Sequence, residues 1–167
     1  MSENILCRLI ATVFVSWYFL GCSIPSKIQK DKERPGESNS NLLISIQQGT
    51  CSKKCPVYSA DFYSGKKLIY SGISRMPLIG KYQFLVPDEL TKNLIFEAIK
   101  LDLKSVPDST QIPEGASKII IRIVLNGSFK QIVGSTVNGD ERFKKFVKLL
   151  HTEVNALIVD QEGLKLP

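Results

Sequence analysis

The chain has 167 residues, 43% of them hydrophobic and 23% charged, which suits one ordinary globular domain with an appendage rather than two domains. Lys and Arg number 22 against 16 Asp and Glu, a formal net charge of +6. So mild an excess suits solubility and an anionic lipid surface, and without a basic stripe interleaved with exposed aromatics it leaves no nucleic acid among the expected partners.

The chain opens with a short start carrying Arg8, then an almost wholly apolar run from Leu9 to Leu20 that stops at Gly21-Cys22. About 12 apolar residues fall short of the roughly 20 a helix needs to cross a bilayer, whereas they fit the hydrophobic region of a signal peptide. Phe19-Leu20-Gly21-Cys22 resembles the lipobox of bacterial lipoproteins, with Phe19 where Leu is commonest and Leu20 where a small residue is preferred. The resemblance implies cleavage after residue 21 and lipidation of Cys22, an anchor that two or more acyl chains make effectively permanent. Residues 1–21 are thus expected to be a lipoprotein signal peptide. The expected location is the cell envelope, anchored to a bacterial membrane, the outer rather than the inner one. Residues 22–41 hold Cys22 and a Ser/Lys/Glu/Pro-rich stretch with no apolar period, read as a flexible tether with a reach on the order of 25 Å.

From Leu42 the pattern becomes regular. Leu42, Ile44 and Ile46 alternate with Leu43, Ser45 and Gln47, a short strand. Gly49-Thr50-Cys51-Ser52-Lys53-Lys54-Cys55-Pro56 interrupts it, and Val57 to Tyr63 alternates again with Tyr58, Ala60 and Phe62 on one face. Ser64-Gly65 supplies a turn, and Lys67 to Ser71 returns as the hairpin partner. Gly72 to Pro77 reads as a loop and Lys81 to Val86 as a further strand. At Pro87-Asp88 the period changes: Asp88 is placed as an N-cap, and Leu90, Leu94, Ala98 and Leu101 recur at helical spacing to about Leu103. Pro107 to Gly115 is turn-rich. Lys118–Leu125 and Ser128–Gly134 flank Asn126-Gly127, the preferred type I′ hairpin turn. Asp140 then caps a second helix whose apolar face is Phe143, Phe146, Val147, Leu150, Val154, Leu157 and Ile158.

These elements predict an α+β domain over residues 42–160: a largely antiparallel sheet of about six short strands with both amphipathic helices packed on one face, a two-layer sandwich. Residues 161–167 are expected to be a C-terminal tail.

Four cysteines are present. With Cys7 in the signal peptide and Cys22 lipidated, Cys51 and Cys55 remain as a pair, which an exported domain oxidises. A disulfide needs Cα atoms about 4.4–6.8 Å apart, against roughly 13 Å for residues four apart in a strand, so residues 51–55 must turn if bonded. The leading reading is a structural clip, with two alternatives left open. A thiol redox pair would use Lys53 and Lys54 to favour a thiolate, and a soft-metal site such as Cu(I) would use both sulfurs. Pro56 steers the chain into the next strand, and Tyr58 reads as a core aromatic. His151 is placed at the edge of the second helix's apolar stripe. Asp61, Asp102 and Asp108 make no recognisable pair, and there is no phosphate loop, zincin motif or nucleophile elbow.

The string Gly49-x-Cys51-x3-Cys55-Pro56-x-Tyr58, followed by Phe62 to Gly65 and Tyr70-Ser71-Gly72, resembles an uncharacterised bacterial domain of unknown function found in exported proteins and lipoproteins. The resemblance covers about residues 42–160. No activity carries over from it. From the residues themselves no catalytic residue, metal or cofactor is expected, and the structural positions of the motif are Gly49, Cys51, Cys55, Pro56 and Tyr58. The expected function is therefore a non-enzymatic binding or structural domain. The membrane is its partner through the lipid anchor, and an envelope protein is a further expected partner.

Overall fold

Strict alternation builds the centre of the sheet. In the computed structural model, which describes residues 41–160 and 163–166, β1 (Leu42–Gln48) turns Ile44, Ile46 and Gln48 inward. Its neighbours β2 (Val57–Tyr63) and β5 (Ile119–Leu125) do the same with Tyr58, Ala60 and Phe62, and with Ile119, Ile121, Ile123 and Leu125. The expected signal peptide, Cys7, Cys22 and the tether up to residue 40 lie outside the described residues. Everything described belongs to one compact unit, Ser38–Pro167.

β3 (Lys67–Ser74), β4 (Gly80–Leu85), β6 (Ser128–Gly134) and β7 (Leu164–Lys165) complete an open seven-stranded sheet in the order β6-β5-β1-β2-β3-β4-β7, every neighbouring pair antiparallel. Two helices, α1 (Asp88–Lys100) and α2 (Glu141–Asp160), lie across one face. α1 buries Leu94 and Ala98, and α2 buries the seven apolar residues that its period predicts. Together with the inward side chains of the strands these form a single core, the two-layer α+β architecture expected from the pattern.

Four local expectations are corrected. The sheet has seven strands, because Leu164–Lys165, expected as tail, pairs with Tyr82 and Gln83. Two residues carry no period, so this strand exists only where the β4 edge receives it. β3 continues through Gly72 to Ser74 instead of stopping before a loop: Gly72 pairs with both Tyr58 and Gly80. Asp88 is the first helical residue, with Pro87 at the cap position and no side-chain cap bond. Its carboxylate instead lies 3.3 Å from Lys66 Nζ. Finally, α1 ends at Lys100; Asp102 takes a left-handed conformation (φ 49°), and a 3-10 turn at Leu103–Ser105 sends Leu103 into the core.

The long connection before β5 is pinned rather than free. Val133 N donates to Asp108 O at 2.8 Å, Thr110 N donates to Val133 O at 2.9 Å, and a single parallel bridge joins Ser109 to Val133. Part of the outer edge of β6 is thereby covered.

Candidate functional site

The loop between β1 and β2 is the segment with the most chemistry. Beyond Gln48, Gly49 N donates to Lys118 O at 2.9 Å and Ser117 Oγ donates to Gly49 O at 2.6 Å. Ser52 donates twice to Gly115 O, from N at 2.9 Å and from Oγ at 3.1 Å. Lys53 O accepts from Cys55 N at 3.0 Å and from Arg75 Nη1 at 2.9 Å. The loop is therefore tied on one side to residues 115–118 and on the other to the turn after β3.

Within that frame the chain turns, and Cys51 and Cys55 come to disulfide distance, with Sγ atoms 1.95 Å and Cα atoms 5.9 Å apart. Pro56 follows, and a bulge between Val57 and Tyr58 opens β2. The bulge sets Tyr58 facing inward with only 1% of its surface exposed.

Tyr58 is the link from the loop to the helical layer. Its ring packs edge-on to His151 at 5.4 Å and tilted to Tyr70 at 6.1 Å. Its hydroxyl lies 3.3 Å from His151 Nδ1, a hydrogen bond in which the imidazole tautomer sets which group donates. Burial, with Tyr70 adding to it, pushes the Tyr58 phenol well above its ordinary range, and burial pushes His151 down. Both shifts favour the neutral pair. Sequence reasoning put His151 at the edge of an apolar stripe and missed this partner, since 93 residues separate the two and no spacing rule joins them.

Gln48 is the second residue the sequence reading passed over. It pairs across the strands with Tyr58 and with Ile119, is 7% exposed, and holds its Oε1 enclosed with no hydrogen-bond partner among the described residues. A depression of about 280 Å³ between the cysteine loop and residues 113–117 is lined by Gln48, both cysteines and Lys53. Among the described residues no group of three or more His, Cys, Asp or Glu side chains stands close enough to hold a metal ion. No described helix is long and apolar enough to cross a membrane.

Cys51 and Cys55 stand at disulfide distance across a turn that is already held by backbone bonds, with the Tyr58–His151 contact on the strand that follows. A family described as a domain of unknown function (DUF6438) matches residues 42–154, from the first residue of β1 into α2. No curated protein matches the chain.

Proposed function

Taking as premise that the chain belongs to the DUF6438 family, a domain of unknown function, we propose that it is an exported lipoprotein. In this reading Cys22 carries the lipid, the bacterial envelope membrane is the site of action, and the domain acts by binding or scaffolding rather than by catalysis. One observation carries the proposal: Cys51 and Cys55 stand at disulfide distance in a loop tied on both sides. An oxidised pair belongs to a compartment outside the reducing cytosol, the compartment to which the apolar run before Gly21-Cys22 would deliver the chain. Closing so short a loop stabilises by about 2 kcal/mol on the chain-entropy argument, so the bridge acts chiefly to hold the turn that delivers Tyr58 to the core.

The test is the intact mass of the exported protein after alkylation, with and without reductant and chelator. A clip resists alkylation until reduced and shows no metal mass. Free alkylation without reductant, or a mass lost to chelator, would support a thiol redox or soft-metal role instead. Replacing both cysteines by serine is expected to lower stability by about 2 kcal/mol in urea unfolding. Cys22→Ala is expected to move the protein from the membrane to the soluble fraction, and unchanged fractionation would sink the anchor.

A further inference from the structure

The face of the sheet opposite the helices carries a groove of about 410 Å³. Its floor is a row of three side chains from three adjacent strands, set by register. Ser45 on β1 pairs with Asp61 on β2 and with Arg122 on β5, so the three project from the same face side by side. Two strand spacings place the Asp61 and Arg122 backbones about 10 Å apart, with opposite charges at the two ends. A bulge in β1 between Leu42 and Ile44 sets an extra residue there, and Leu42 and Leu43 both line the groove. Tyr63, Val124 and Phe129 add apolar surface, and Phe129 is 62% exposed.

Three polar groups on this floor are left for something else to satisfy. Arg122 donates from Nε to Gln131 Oε1 at 3.0 Å, which orients the guanidinium, yet it takes no ion pair among the described residues. Its outer fork suits a carboxylate, the ligand that a planar guanidinium binds through two parallel hydrogen bonds. Asp61 takes neither a hydrogen bond nor an ion pair among the described residues, and it suits an ammonium group. Between them the Ser45 side chain, 2% exposed and lining the groove, makes no hydrogen bond among the described residues. On the floor of the groove this hydroxyl offers a polar ligand atom both a donor and an acceptor.

We propose that this groove binds short zwitterionic peptides of two or three residues, the ammonium at Asp61, the carboxylate on Arg122 and an apolar side chain against Leu43 and Phe129. At about 3.3–3.5 Å per residue, such a peptide spans about the 10 Å between the charged positions. The groove's volume lies in the usual range for a small-molecule site. The proposal rests on reading the domain as a binding module and names the ligand class of that module. It makes no use of the lipid, so its failure leaves the anchor standing, and unchanged fractionation of Cys22→Ala leaves the groove standing.

The test is a titration of the 15N-labelled full-length chain in neutral detergent micelles with trialanine, N-acetyl-trialanine and trialanine amide. Trialanine is expected to give saturable shifts confined to residues 42–45, 61–63 and 122–129. Amidation of the peptide, or Arg122→Gln, is expected to weaken binding about tenfold, and the two losses do not add, because both remove the same contact. Acetylation and Asp61→Asn form the matching pair at the other end. Phe129→Ala, a change to an exposed ring, weakens all three peptides without disturbing the fold. No saturable shift at about 10 mM peptide, a concentration that detects even millimolar binding, would overturn the proposal. So would shifts equal for the three peptides, since capture of any apolar chain or of detergent ignores the termini. Should a charge variant fail to fold, the three peptides on the unaltered chain and on Phe129→Ala still decide.

Discussion

At Gly72 an added Cβ would stand 2.0 Å from the Leu78 carbonyl oxygen and 2.5 Å from the Tyr70 hydroxyl oxygen. The same Tyr70 hydroxyl donates to Leu78 O at 3.0 Å, so the chain after β3 folds directly back over this glycine. Gly49 is different: its added Cβ would meet Lys118 O at 3.5 Å, an ordinary contact. Gly72→Ala is therefore expected to cost about 2–3 kcal/mol, because a backbone carbonyl must move, while Gly49→Ala stays within about 1 kcal/mol. Urea unfolding of the two variants checks the order, and equal losses would contradict it. The glycine in the cysteine signature was legible as a residue, but the glycine with the steric requirement lay in a segment that reads as a loop. Only the approach of Leu78, six residues on, reveals its role. Asp61 makes the same point: alone in the sequence it pairs with nothing, and its place across from Arg122 exists only in the folded sheet.

An aspartate after a turn residue stands at the start of each helix, as the first helical residue of α1 and just before the first of α2, and the same local signal has two outcomes. Asp140 accepts from Arg142 N and Nε through Oδ1, at 2.8 and 3.0 Å, and from Arg142 Nη2 through Oδ2 at 2.8 Å. Asp88, after Pro87, makes no cap bond and has Lys66 beside it, each side chain about half exposed. Losing the cap in Asp140→Ala is expected to cost about 1 kcal/mol, whereas Asp88→Ala stays within about 0.5 kcal/mol. The side-chain hydrogen bond from Arg142 holds the Asp140 carboxyl down to about 2, against an ordinary 3.8. The folded state thus binds this proton less readily than the unfolded chain. The stabilisation is complete above about pH 4 and is lost as pH falls toward about 2. Asp140→Asn keeps the backbone bond but removes that component, so its stability should be flatter than the parent's between pH 4 and pH 2 in denaturant unfolding. Parallel curves would contradict the assignment.

At the scale of the whole molecule the sheet is open, and its two ends are protected by segments far away in sequence. Residues 108–110 cover part of β6, while β7 pairs with β4 and Leu166 N donates to Lys81 O at 2.8 Å. A chain truncated after Asp160 should expose the β4 edge and self-associate, read as a concentration-dependent mass by light scattering. A monomer at every concentration would show that β7 has no such role. The division between what was legible and what was not follows the range of the forces involved. The sequence by itself determined six of the seven strands, the two helices and their inward faces, because burial acts on a period of two or 3.6 residues within one segment. It also determined the Asn126-Gly127 turn, whose positive φ values of 50° and 75° are a local preference. Only the tertiary structure decided the strand order, the β7 edge pairing, the Tyr58–His151 bond and the row Asp61–Ser45–Arg122. Each depends on register between strands or layers distant in the chain, and a register is set by the packing of the whole core, not by any residue's own neighbours.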